Sequence, residues 1–188
     1  MAEALAPRWE HYLDDDWLMR RTAGGDPRAF EEIVRRYEAR LTRFAASLLA
    51  GDLDLAVDAV QDVFLRLWRG AATYQECGKL SAYLYRMTHN ACVDIGRRTR
   101  PSVDIDQAAG IPAPVDTAST AVDSAFADAV RTAVGELPDE QRLVFVLSVD
   151  GLSYAEIAEI AACPVGTVAS RKRLAVAALR TMLADWKE

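Results

Sequence analysis

The chain has 188 residues, 51% of them hydrophobic, which excludes a disordered polymer and permits one medium domain or two small ones, each able to bury a core. Its formal net charge of −6 argues against strong unaided binding to DNA. Cys77, Cys92 and Cys163 form no CxxC pair, which argues against a disulfide framework. The longest apolar run, Leu143 to Val149, is too short to span a bilayer, so we expect a soluble, cytoplasmic protein.

Charge is unevenly spread: residues 27–100 hold 12 basic and 9 acidic side chains, whereas residues 101–135 hold 1 and 5, so a basic block precedes an acidic joint. Asp14 to Asp16 can cap a short helix through Thr22, closed by Gly24 and Gly25. From Pro27 to Leu49, the residues Phe30, Ile33, Val34, Tyr37, Leu41, Phe44 and Leu48 recur at steps of three and four, with Arg35, Arg36, Arg40 and Arg43 on other faces. That is the period of an amphipathic helix. Gly51-Asp52 precedes a third helix, from about Leu53 to Arg69. There Val60, Val63, Phe64 and Leu67 form the core stripe, leaving Asp58, Gln61, Asp62, Leu65 and Arg69 on the opposite side. An outward leucine among acids and an amide is either an ordinary exposed residue or a docking point for a helical partner.

Residues 69–79 break the helical pattern and carry Tyr74, an aromatic with no evident packing role in a loop. A fourth helix runs from Leu80 to about Arg98. Leu80, Leu84, Met87, Ala91 and Ile95 make its buried stripe, and Tyr83, Arg86, Asn90 and Arg97 share a neighbouring face. A ring, an amide and arginines on one helix suit single-stranded nucleic acid, whose bases stack on rings while its phosphates meet cations. The plainer reading makes Tyr83 boundary core and the arginines solvated. His89 and Cys92 stand three apart, but structural zinc takes four ligands and only Cys77 is an obvious third, so we expect no metal site.

From Thr99 to Ala121 the pattern collapses into Pro101, Gly110, Pro112, Pro114 and scattered small residues, the composition of a linker between two domains. We place the first domain over residues 1–99, the linker over 100–121 and the second domain over 122–188. Helical pattern returns at Val122 to Val134, and again after Leu137-Pro138-Asp139-Glu140 through about Val149. With no strand signal and no internal repeat, the expected fold class is all-α.

Ser153 to Leu183 reads as a helix-turn-helix. Ser153 and Glu156 form a capping box that starts a short first helix, and Pro164 suits the opening turn of a longer second one. Ile157, Ala158, Ala161, Val165, Val168, Ala175, Leu179 and Met182 supply the inward face. The second helix opens with Thr167, Ser170, Arg171, Lys172 and Arg173, hydroxyl and cationic groups of the kind that meet phosphates and base edges in a DNA major groove. Taken alone, the same residues also fit a helical hairpin with a solvated basic face.

Together, AVDAVQDVFLRLW (56–68), SAYLYRMTHNACVDIGRR (81–98), LPDEQRLVFVLSVDGLSYAEIAEI (137–160) and CPVGTVASR (163–171) resemble the bacterial sigma-70 factors, and the short two-domain layout resembles their extracytoplasmic-function group. The resemblance covers about residues 26–98 and 122–183. It implies a subunit that binds core RNA polymerase and directs promoter recognition, with no catalytic residue, cofactor or metal. By the same resemblance, Asp58, Gln61, Asp62 and Leu65 match the face that grips the polymerase clamp helices. The loop before Lys79, together with Arg86 and Asn90, matches the region that captures a flipped base of the melted non-template strand, and with Tyr74, Lys79, Tyr83 and Arg97 these are the expected minus-ten contacts. The helix-turn-helix residues would read the minus-thirty-five duplex. Members are commonly held by an anti-sigma factor, so such a partner is expected.

The sequence departs from the family pattern at identifiable points. Tyr83 replaces a usual Trp, Val57 and Ala59 replace Glu and Leu, and Ala162 replaces the turn glycine, at a cost on the order of 1 kcal/mol if the position keeps positive φ. In the second helix Ala169 and Leu174 stand where a basic or polar residue and an arginine are usual, while Lys172 stands at an apolar position. Two rival functions remain, a stand-alone helix-turn-helix regulator, which would dimerise and bind duplex operators unaided, and a purely helical interaction module.

Overall fold

Local side-chain capping fixes four of the helix starts. In the computed structural model, which describes residues 14–75, 78–99 and 121–186, α1 (Asp15–Ala23) begins where the Asp14 side chain accepts from the Asp16 N–H and ends at Gly24. α2 (Pro27–Leu48) begins where Asp26 accepts from the Arg28 N–H at 3.0 Å, with proline at its first position. α3 (Leu53–Gly70) begins where Asp52 accepts from the Leu55 N–H at 3.0 Å. Each carboxylate satisfies an amide that the helix leaves unpaired. A short 3-10 turn, Ala71–Thr73, leads toward α4 (Leu80–Thr99).

The second half holds α5 (Ala121–Gly135), α6 (Asp139–Val149), α7 (Tyr154–Ile160) and α8 (Val165–Met182), then a 3-10 turn at Ala184–Trp186. α7 carries the full capping box, Ser153 Oγ accepting from the Glu156 N–H and Glu156 Oε2 accepting from the Ser153 N–H at 2.8 Å. The described residues are all-helical, as the periodicities predict. Residues 100–120 and Cys77 lie outside the described residues, so the linker expectation and the third cysteine are not addressed by the structure.

The two halves do not keep separate interiors. One apolar core joins Ile33, Leu41, Phe44, Val63, Leu80 and Leu84 of the first half to Val144, Leu147, Ile157 and Val168 of the second. A smaller cluster of Ala133, Val134, Leu137, Ala175 and Leu179 lies between α5 and α8. The two helical domains expected from the sequence therefore pack against one another across a common apolar core. Asp150 marks the joint: Tyr85 Oη donates to its Oδ2 at 2.7 Å, and Arg40 donates to its carbonyl. Tyr85, absent from the stripe expected of α4, is fully buried and meets Phe44 edge-on at 5.1 Å.

Candidate nucleic-acid and partner interfaces

On α3, Val60, Val63, Phe64 and Leu67 are buried, as the stripe predicts. Asp58, Gln61 and Leu65 are exposed, Leu65 at 52%, while Asp62 is half-buried and bonded to Arg66 at 2.6 Å. Val57 and Trp68 are exposed as well, so the outward leucine belongs to an apolar ridge at helical spacing flanked by carboxylates. The sequence reading placed Gln61 and Leu65 on this face but not Val57 and Trp68, although 57, 61, 65 and 68 follow the same three- and four-residue steps. Trp68 keeps one face on Phe30, with ring centroids 5.0 Å apart.

Around α4, four of the six expected residues converge. Tyr74, Lys79, Tyr83 and Arg86 line a hollow of about 330 Å³ together with Thr73, Gln75 and Ala82. The Tyr74 and Tyr83 rings meet edge-to-face with centroids 5.7 Å apart, and the Arg86 guanidinium lies 5.6 Å from the Tyr83 centroid. Tyr74 therefore does have a packing role, contrary to the sequence reading, and its hydroxyl reaches Asp16 Oδ1 at 3.2 Å. Glu156, Glu159 and Ile160 of α7 line the same hollow, which therefore holds acidic as well as basic residues. Asn90 is exposed one turn beyond Arg86, with its side chain hydrogen-bonded to His89. Arg97 borders a different hollow, beside His89, Cys92 and Leu143, and is not brought to the tyrosine pair.

Burial holds His89 below its ordinary pKa, against the smaller opposing effect of a hydrogen bond to Asn90. Burial also pushes the Cys92 thiol up to about 12, leaving it protonated and inert. Among the described residues no three His, Cys, Asp or Glu side chains gather as metal ligands.

In the helix-turn-helix, Ala162 adopts φ +47°, so the turn keeps the left-handed geometry that glycine usually supplies. Pro164 is the N-cap of α8, just outside the helix. Val168, Ala175 and Leu179 are buried, but Val165 and Met182 are 48% and 40% exposed. They stand at the two ends of α8, whose 18 residues outrun the 11 of α6 and 7 of α7. Arg173 is exposed, whereas Arg171 is ion-paired with Glu140 of α6. Lys172 lies 5.3 Å from the Tyr154 ring centroid, Ser170 Oγ donates to the Thr167 carbonyl at 2.9 Å, and Thr167 is half-buried. Tyr154, Lys172, Arg173 and Arg180 line one shallow hollow with Ala169 and Val176. Arg180, seven residues after Arg173, was missed in the sequence although the spacing puts the two on one face. A Cβ at Gly166 would meet nothing within 4 Å, which leaves the start of α8 open to close approach.

A helical unit with a ring-and-cation hollow, joined to a helix-turn-helix with an exposed basic face, is the make-up of a nucleic-acid-binding transcription protein. Known proteins narrow the class. The family model for Sigma-70 region 2 matches residues 33–101 and that for Sigma-70, region 4 matches residues 127–179. The ECF RNA polymerase sigma factor SigM of Mycobacterium tuberculosis is 34% identical over 179 residues, covering 92% of this chain and 86% of its own. The sigma-E factor of Escherichia coli K12 is 31% identical, covering 85% and 88%, and SigW of Bacillus subtilis 31%, covering 86% and 92%. Among solved structures, CnrH in complex with the cytosolic domain of CnrY aligns with a TM-score of 0.65 at 25% identity, covering 93% of this chain and 99% of that one. RpoE in complex with the anti-sigma factor NepR, from Bartonella quintana, aligns at 0.67 and 25%, covering 82% and 96%. The chain belongs to the extracytoplasmic-function group of the sigma-70 family of RNA polymerase sigma factors.

Proposed function

We propose that this sigma factor binds core RNA polymerase through the α3 face of Asp58, Gln61, Asp62 and Leu65, holds the melted minus-ten strand at α4, and reads the minus-thirty-five duplex with α8. The observation that carries the reading is the convergence of Tyr74, Lys79, Tyr83 and Arg86 on one hollow. Stacked rings and cations suit an unstacked base and its phosphate, and binding energy alone then stabilises the open strand. No residue acts as a catalyst, and no cofactor or metal is required. In this reading Asn90 extends the same stripe, and Arg97 and the exposed Arg173 would meet backbone phosphates.

The net charge of −6 makes promoter contact dependent on the assembled polymerase, in the cytoplasm. No helix among the described residues is long and apolar enough to cross a membrane. Two structural relatives were captured with CnrY and NepR, which supports an anti-sigma factor as a further partner. Run-off transcription on a promoter library, with core polymerase present or absent, tests the reading. Transcripts should require both proteins, and tight sequence-specific duplex binding by the isolated chain would instead favour a stand-alone regulator.

A further inference from the structure

A carboxylate beside a site for polyanionic DNA is electrostatically unfavourable and calls for a reason. Asp16, in the first turn of α1, is such a group. Its Oδ1 accepts from the Tyr74 hydroxyl at 3.2 Å and its Oδ2 accepts from the Gly78 N–H at 2.8 Å. Tyr74 and Gly78 both precede α4, so the two oxygens of one side chain hold two points of the chain just before that helix. Gly78 has φ +65°, a conformation that glycine adopts without strain.

α1 is itself a firm anchor. Leu18 and Met19 are buried, and the neighbouring Asp15 receives the Tyr37 hydroxyl and, at 3.1 Å, Arg36 of α2. Fixing the Tyr74 hydroxyl fixes its ring, the Tyr74 ring sets the edge-to-face contact with Tyr83, and Tyr83 carries Arg86. We infer that Asp16 is a positioning residue for base capture: it touches no DNA, but it fixes the tyrosine pair and the entry to α4 in the arrangement that discriminates one flipped base from another. The inference rests on the reading of the α4 hollow as the melted-strand site.

The test uses the full chain with core polymerase, on promoters differing at single minus-ten positions, with opening followed by a fluorescent base analogue in the non-template strand. Asp16→Ala removes both hydrogen bonds, Tyr74→Phe removes one and keeps the ring, and Asp16→Asn keeps a carbonyl for Gly78 and an amide that can donate to the Tyr74 oxygen. The ratio of opening on preferred over altered promoters should fall about tenfold in Asp16→Ala and less in Tyr74→Phe, the scale of one or two hydrogen bonds. Asp16→Asn should stay near the parent, and affinity for core polymerase and for minus-thirty-five duplex should be unchanged in all three.

A purely structural role would weaken opening on every promoter alike and leave the ratio fixed; that result, or a parental ratio in Asp16→Ala, overturns the proposal. If Asp16→Ala fails to fold, Tyr74→Phe decides, and an unchanged ratio there overturns it. A parent protein that opens promoters with no minus-ten base preference would overturn the reading of the hollow itself, and this is seen before any variant is made.

Discussion

Ala162 and His89 each carry a cost that one substitution exposes. At φ +47° Ala162 occupies a region that alanine disfavours, so Ala162→Gly should raise stability by about 1 kcal/mol, the usual difference when glycine relieves a left-handed position. An increase in the denaturant midpoint with unchanged slope checks it. Burial disfavours the charged form of His89, and among the described residues its Nδ1 has no hydrogen-bond partner. Because its folded pKa lies below the ordinary 6.5, its contribution is fully present above that value and is lost as pH falls from there through the folded pKa, as the unfolded chain takes up a proton the fold resists. Thermal melts from about pH 7.5 to 5.5 should therefore show a decline that His89→Gln reduces.

Among the helices, capping made the ends legible and tertiary partners made the faces less so. Asp26, Asp52 and Ser153 announce α2, α3 and α7 because each cap is completed within three residues. Tyr85 could not be placed from α4 alone: its burial depends on Phe44 and on Asp150, 65 residues away. Arg171 was read with the DNA-facing cations from its spacing, but Glu140 on α6 pairs with it and leaves Arg173 as the exposed arginine. The two arginines should therefore behave differently. Arg173→Ala should weaken minus-thirty-five binding uniformly across sequences and flatten its salt dependence by about one unit of slope, as a phosphate contact does. Arg171→Ala should change the slope less and loosen the α6–α8 contact. On α3, Asp62→Ala with Leu65→Ala should reduce polymerase affinity by at least about tenfold without unfolding the chain, since neither side chain is buried; a lost helical signal would show that the ridge is structural. In α8, Leu174 is 52% exposed where the family usually has an arginine. Selection from a randomised minus-thirty-five library should therefore give a different preferred sequence for Ala169→Lys with Leu174→Arg than for the parent.

Across the whole molecule, the shared core brings α7 to the α4 hollow, so the element that begins the helix-turn-helix also lines the hollow proposed for the melted strand. Glu156 and Glu159 line the same space of about 330 Å³ as Lys79 and Arg86, so in the proposed reading a strand entering it brings phosphates toward acidic side chains. Glu156 closes the capping box of α7, so removing it would confound stability with charge, whereas Glu159 is exposed and has no cap to lose. Glu159→Gln deletes one like charge at nearly constant shape. Repulsion between exposed charges a few ångströms apart is worth a few tenths to about 1 kcal/mol and is screened by salt. The variant should thus bind a minus-ten single strand about threefold more tightly at low ionic strength and converge on the parent at high salt. Fluorescence anisotropy of a labelled oligonucleotide across a salt series measures both limits. Equal affinities at low salt would show that Glu159 does not repel the strand.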